Sequence, residues 1–235
     1  MRVLDLFAGT GSSTQAFVDR GWVRCRVELD PQHEAEVTGN VASLDVEEVL
    51  DVLGGRPDFV WASPPCTSFS LMSCGRHWNT TATGALVPAS PTAVDGVRLF
   101  AATRALIETL RPQWWLVENP TAVARSTVGS WMYADVPRTA VTYCAYGHEF
   151  RKPTDLFGRP PSNWVPRPRC PNGAPCHRSA PAGSRTGIQS PGLNPVERSR
   201  VPYELGESLA AAAEGEEDTY EPVQTMLNLV AGANS

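Results

Sequence analysis

The sequence predicts an α/β fold: a doubly wound, mostly parallel sheet with one small loop-rich insert. Three observations carry that expectation. Short apolar runs at residues 2–7, 23–29, 58–62 and 114–117 read as strands buried on both faces. Segments of helical spacing lie between them. Each run ends in small, polar or acidic residues, where parallel sheets place their sites. With 235 residues, 42% of them hydrophobic, the chain can bury a core of its own, so neither disorder nor a disulfide framework is expected.

Taken in order, residues 2–7 (RVLDLF) run into AGTGSS (8–13). Ser12 or Ser13 is placed there to N-cap a helix lasting to about residue 20. The second strand, 23–29, ends at Glu28 and Asp30, and Asp45 closes a shorter third unit. Residues 58–62 (DFVWA) lead into SPPC (63–66). Residues 67–90, rich in Ser, Thr and Gly, read as a long mobile loop. Val94, Val97, Leu99, Ala101, Ala105, Leu106 and Leu110 give 93–110 a helical pattern. Residues 114–117 (WWLV) form a further buried strand before Glu118-Asn119-Pro120.

The chain then changes character. Residues 150–200 hold ten of the 21 prolines, so neither helix nor sheet persists there. Residues 158–197 are read as an insert, and 1–157 with 198–235 as the main domain. Residues 201–213 read as a helix, or a strand and helix, that closes it. An acidic loop at 214–221 and a short terminal helix at 222–232 are expected to follow, the acidic end being simply solvated.

A formal net charge of −5, taken alone, argues against a nucleic-acid partner. The charge is unevenly spread, however. Between residues 138 and 200 ten basic residues face only Glu149, Asp155 and Glu197, while no Lys or Arg follows Arg200. The expectation is a local basic surface on an acidic protein. No apolar run approaches the ~18 residues of a membrane span, and the N-terminus lacks a signal-peptide pattern. Six cysteines without a secreted spacing suit the reducing cytoplasm.

Three clusters carry chemistry. In DLFAGTGSS (5–13), glycines at a strand-to-helix turn let a ligand approach the backbone, though glycine often merely turns a chain. Glu28, at the end of the next strand, stands where an acid accepts hydrogen bonds from ribose hydroxyls. Thr14 replaces the third glycine of a dinucleotide turn, so a nucleoside cofactor fits better. In SPPCTSFS (63–70), two prolines form a rigid platform that presents Cys66 as a nucleophile rather than as a core residue. Glu118-Asn119-Pro120 places a carboxylate at a strand end, either as a helix-capping acid or as part of a site.

Together and in this order, these clusters resemble the C5-cytosine DNA methyltransferase family, most closely its compact, phage-type branch. ENP stands where most members carry ENV. VTYCAYG (141–147) and RKPTDLFG (151–158) are similar to the family's next strand pair, RSRVPYEL (198–205) to its closing segment, and GxxCH (173–177) and TGIQ (186–189) add to the likeness. The resemblance implies a Rossmann-like methyltransferase sheet and the cofactor S-adenosyl-L-methionine. It implies Cys66, Glu118, Asn119 and Arg151 as catalytic residues. Phe7, Gly9, Gly11, Ser12, Glu28, Asp45 and Pro65 would bind the cofactor, and Thr67, Ser70, Lys152 and Thr154 the DNA. Double-stranded DNA is the implied partner, with one chain acting as a monomer. Enzymes that methylate an exocyclic nitrogen resemble Ser-Pro-Pro followed by an aromatic residue; Cys66 stands there instead, which points to carbon methylation.

Departures from the family remain. The insert has only about 40 residues for reading sequence, and the usual Gln-Arg-x-Arg pattern is missing, Arg151-Lys152 being its nearest match. A short target site and salt-sensitive binding are expected. The same chemistry on RNA or with a modified donor, and a non-catalytic binding module, stand as alternatives. Cys170, Cys176 and His177 offer three zinc-ligand types, with His148 or Cys144 as a fourth; the alternative is a loop in which Cys packs and His caps. His77-Trp78 reads either as a wedge beside the DNA or as an aromatic folded onto the surface.

Overall fold

Along the central strands successive side chains are apolar on both faces, so the sheet must be covered on both sides. A computed structural model describes residues 1–70, 74–178 and 195–215. In chain order its elements are β1 (Arg2–Leu6), α1 (Gln15–Asp19), β2 (Val23–Glu28), β3 (Val37–Thr38), α2 (Val46–Leu53) and β4 (Phe59–Ala62). There follow α3 (Cys74–His77), β5 (Trp78–Thr80), β6 (Leu86–Pro88), α4 (Pro91–Leu110), β7 (Trp114–Pro120) and α5 (Val128–Trp131). The rest comprises β8 (Arg138–Thr142), β9 (Pro153–Arg159), α6 (Pro195–Ser199) and α7 (Tyr203–Ala213).

Seven strands form one sheet in the order β3-β2-β1-β4-β7-β9-β8. Neighbours from β3 to β7 are parallel, and β9 runs antiparallel to both β7 and β8. Leu4, Leu6, Val60, Ala62, Trp115 and Val117 face α2, α4 and α5. Val3, Phe59, Trp61 and Leu116 face α1 and α7. The chain winds outward from β1 through β2 and β3, then returns to β4 on the other side of β1. That reversal leaves a crevice at the carboxyl ends of β1 and β4.

Four local expectations change. Neither Ser12 nor Ser13 caps α1: the helix begins at Gln15 with Thr14 at its N-cap and no side-chain cap. The hydroxyls of Ser13 and Thr14 instead donate to the buried Asp5 carboxyl, at 2.6 and 2.8 Å. The stretch 67–90 is no bare loop, since it carries α3 and the antiparallel pair β5–β6. Trp78 is buried there against Phe69 and donates from Nε1 to the Ser68 carbonyl at 2.7 Å, so it is no surface wedge. His77, also buried, bonds Ser90 Oγ at 2.6 Å. The strand at 114–117 runs on to Pro120, because β9 continues to pair with it as far as Thr154. Of 201–213 only the helix is found, as α7.

The charge reading also shifts. Arg138 pairs with Asp155 and Arg178 with Glu149, acids that already stand within the 138–200 balance, while Arg167 reaches Glu204 outside it, so the local basic excess falls by one charge only. The acids after residue 203 are not simply solvated: Glu207 and Glu214 bind Arg20, and Glu214 also accepts from Trp22 Nε1 at 2.6 Å. These pairs tie α7 to the end of α1. The TGIQ motif, most of the acidic loop and the expected terminal helix lie outside the described residues. Among the described residues no helix is long and apolar enough to cross a membrane.

Candidate active site

The carboxyl ends of β1, β4 and β7 lie side by side, so the three sequence clusters meet. They line one cleft of about 510 Å³, within the ~300–1,000 Å³ range of small-ligand sites. Phe7, Gly9, Ser12 and Ser13 form one wall, Ser63 to Thr67 and Ser70 another, and Glu118, Pro120 and Lys152 a third. Arg198, Ser199 and Val201 close the rim, and Val201 N donates to Ser12 Oγ at 3.1 Å.

The glycine turn is built from the backbone outward. Gly9 has φ +49° and open space where a Cβ would stand, which leaves a cradle for a ligand. Glu28 fixes the turn, accepting from Gly9 N at 2.8 Å through Oε2 and from Leu29 N at 2.8 Å through Oε1. Gly11 serves differently. A Cβ there would lie 2.9 Å from the Arg26 side chain, so its smallness admits arginines rather than a ligand. Phe7 (φ +59°) and Lys152 (φ +32°) both line the cleft in the left-handed region, at a cost of roughly 1–3 kcal/mol each.

Cys66 is exposed to the cleft. Desolvation by the surrounding protein pushes its thiol up; the Glu118 charge pushes the same way, and Lys152 opposes both. The resting site thus favours the thiol, and whatever removes the Glu118 charge favours the thiolate. Asn119 fixes the nucleophile loop to the acid strand, its Nδ2 donating to Pro64 O at 3.1 Å. Glu118 is buried and accepts from the Tyr143 hydroxyl at 2.9 Å. Burial, reinforced by Glu118, keeps Tyr143 well above the usual phenol range, so it remains a donor. Lys152 Nζ lies 4.4 Å from the centre of the Tyr143 ring. Lys152, Tyr143, Glu118 and Cys66 thus form one continuous array.

Sequence reasoning missed Tyr143 as a member of that array; the signal was its place in VTYCAYG. Other expected site residues are placed elsewhere. Asp45 caps α2, accepting from Glu47 N at 3.0 Å, and neither it nor Glu28 lines the cleft. Arg151 is not part of the cleft lining: its Nε donates to the Cys170 carbonyl at 2.8 Å. Thr154 is fully buried with its hydroxyl on the Lys152 carbonyl, which shuts it off from any macromolecule in this state. Cys170, Cys176 and His177 do come together, and of the two fourth partners named it is Cys144 that joins them.

No model of a known protein family matches the chain. It is 33% identical over 181 residues to a protein of Frog virus 3 (isolate Goorha) described as a probable DNA (cytosine-5)-methyltransferase, covering 73% of this chain and 78% of the viral one. Among solved structures it is similar to one described as a DNA modification methyltransferase encoded within an Escherichia coli prophage. That match has a TM-score of 0.51 and 17% identity, over 73% of this chain and 52% of that one. A methyltransferase of Entamoeba histolytica matches with a TM-score of 0.49 and 12% identity, over 73% and 57%. The chain thus spans little more than half the length of these structures, and the first of them supports the fold.

Proposed function

Because the chain belongs to the DNA (cytosine-5)-methyltransferase family, we propose that it transfers a methyl group from S-adenosyl-L-methionine to carbon 5 of cytosine in double-stranded DNA. One observation carries this reading. The Cys66 thiol and the Glu118 carboxyl open into the same cleft, held in register by the Asn119–Pro64 and Tyr143–Glu118 hydrogen bonds.

The chemistry follows from what carbon 5 lacks. It is a poor nucleophile until something adds to the neighbouring carbon. The target cytosine leaves the stack and enters the cleft. The Cys66 thiolate forms a bond to ring carbon 6, and the 5,6 double-bond electrons move towards carbon 5. Glu118 accepts from the exocyclic amino group and donates towards ring nitrogen 3, so charge does not build up in the ring. The carboxyl then no longer opposes the thiol's ionisation, and Lys152 is left to favour the thiolate. Asn119 and Tyr143 position the two reacting groups. After methyl transfer a solvent base takes the proton from carbon 5, the double bond re-forms, and the Cys66 thiolate is released.

The residues present fit the cofactor, since the Gly9 cradle is open and fixed by Glu28. Phe7, Gly9, Ser12 and Pro65 would hold it, Glu28 acting through the turn that it fixes. When bound it supplies an activated methyl group. Thr67, Ser70 and Lys152 would meet the flipped nucleotide and its phosphates. One chain acting on the duplex in the cytoplasm suits six free cysteines.

The test is transfer of tritiated methyl from S-adenosylmethionine to duplex DNA and to tRNA, with product nucleosides analysed. The expected product is 5-methylcytosine in DNA. None from any DNA sinks the proposal, label in tRNA alone moves the substrate to RNA, and a heavier adduct by mass spectrometry reveals a modified donor.

A further inference from the structure

We infer that Cys144, Cys170, Cys176 and His177 bind one zinc ion, and that this ion fastens the proline-rich insert to the end of β8. The donor atoms of all four lie within 4.8 Å of one another. Cys170 Sγ is 3.0 Å from Cys176 Sγ and 3.6 Å from His177 Nδ1, and Cys176 Sγ is 3.4 Å from that nitrogen. A tetrahedral zinc with bonds of about 2.3 Å to sulfur and 2.0 Å to nitrogen needs ligand–ligand edges of roughly 3.5–3.8 Å. The observed spacings need adjust by only a few tenths of an ångström to about one ångström.

The cluster is assembled from afar. Cys144 sits in the turn after β8, and the other three ligands come from the insert. Hydrogen bonds that involve no sulfur already bring the two segments together. Cys170 N donates to Thr142 Oγ1 at 2.9 Å, Arg151 Nε to the Cys170 carbonyl at 2.8 Å, and Arg178 N to the Glu149 carbonyl at 2.9 Å. The ligand set is therefore arranged by the fold rather than by chance contact.

Ligand chemistry selects the metal. Three thiols and an imidazole favour zinc over hard cations such as magnesium or calcium. Four protein ligands leave no open position, which marks a structural ion and not a catalytic one. The insert also needs a fastening. Between residues 160 and 177 no helix or strand is present, and among the described residues the apolar cluster around the ligands is Cys144, Cys170 and Ala174. So small an apolar cluster gives little hydrophobic stabilisation, and small loop-rich segments are then stapled by metals or disulfides. A Cys170–Cys176 disulfide is the competing staple, but 3.0 Å is a non-bonded distance beside the ~2.05 Å of that bond. It would also leave Cys144 and His177 without a role.

The full chain, purified without chelator, should carry about one zinc per molecule by elemental analysis. Cobalt(II) in its place should give the absorption of a tetrahedral thiolate site. Cys144→Ser and His177→Ala should lower zinc affinity by roughly a hundredfold or more in a competition titration with a chromophoric chelator. His177→Cys should retain the metal, which separates lost ligation from misfolding. Stripping the zinc should speed hydrogen exchange across 160–178 and leave β1 and β4 unchanged. None of these readouts depends on methyl transfer. Well below one zinc per chain after refolding with excess metal overturns the inference. So does a mass two hydrogens lighter with a Cys170–Cys176 cross-link.

Discussion

The central sheet and the proline-rich insert share one chain but are held by different forces. In the sheet, β1, β4 and β7 bury apolar side chains on both faces, and backbone pairing settles the register. In the insert, residues 160–178 contribute few buried side chains, Trp164, Cys170 and Ala174 among them, and polar or charged links replace packing. Close packing tolerates little change of volume, whereas a tethered loop tolerates much. Sites built on the sheet should therefore be exact and brittle, and the insert forgiving except at its fastenings.

Two glycines break or sharpen that comparison. Gly158 in β9 has φ +142°, and a Cβ would stand 2.2 Å from the Trp115 carbonyl oxygen across the sheet. Gly158→Ala should cost about 4 kcal/mol or more and leave little folded protein, as circular dichroism melts will register. Gly173 in the insert has φ +81° but nothing within 4 Å of the same atom. Gly173→Ala should cost only about 1 kcal/mol in the same melt. Equal losses at the two positions would remove the distinction between the regions.

Chemistry should separate from stability at Cys66. Its side chain is exposed to the cleft, so Cys66→Ala should leave the melting temperature unchanged while methyl transfer falls at least ~10⁴-fold and trapping by 5-fluorocytosine DNA disappears. A surviving covalent complex would mean that another group attacks. Glu118→Gln should slow transfer by a smaller factor, ~10²–10³-fold. It should also change the thiol in a direction the geometry dictates. Desolvation and the Glu118 charge both raise Cys66, and Lys152 lowers it. Alkylation of Cys66 should therefore rise with pH. Its midpoint should move down in Glu118→Gln and up in Lys152→Met.

How much of this was legible beforehand tracks the same division. The strands and the three clusters were readable, because continuous apolar runs and the small or polar residues that end them are local signals. The Cys66–Glu118 pairing was legible only through the resemblance of the two motifs to one family, since nothing local says that β4 and β7 are neighbours. What escaped depended on partners far along the chain. Ser13 looks like a helix cap until Asp5, eight residues earlier, claims its hydroxyl. Arg151 looks like a base-contacting residue until the carbonyl of Cys170, nineteen residues on, accepts from it. Tyr143 stood in a legible motif, VTYCAYG, but the β7–β9–β8 order that brings it to Glu118 is not written locally. The basic excess at 138–200 was legible as a count, but which of its charges are paired was not, since Arg138 meets Asp155 and Arg167 meets Glu204 from beyond the segment.

Asp5 offers the finest test of how far the sheet depends on burial. It lies fully buried beneath the glycine turn, and Oδ1 has no hydrogen-bond partner among the described residues. Burial pushes its carboxyl up from 3.8 to about 7, although the Ser13 and Thr14 hydroxyls pull the other way. The folded state therefore holds a proton that the unfolded chain releases near pH 4. Stability from this group is fully present below about pH 4, declines as pH rises and is lost once pH passes about 7. At about 1.4 kcal/mol per pH unit, the decline amounts to a few kcal/mol at most. Asp5→Asn keeps an oxygen for Ser13 and Thr14 and carries no charge. In denaturant melts it should match the parent near pH 4 and exceed it near pH 8. If the two curves stay parallel across that range, Asp5 ionises in the folded sheet as readily as in the unfolded chain, and burial does not raise its carboxyl.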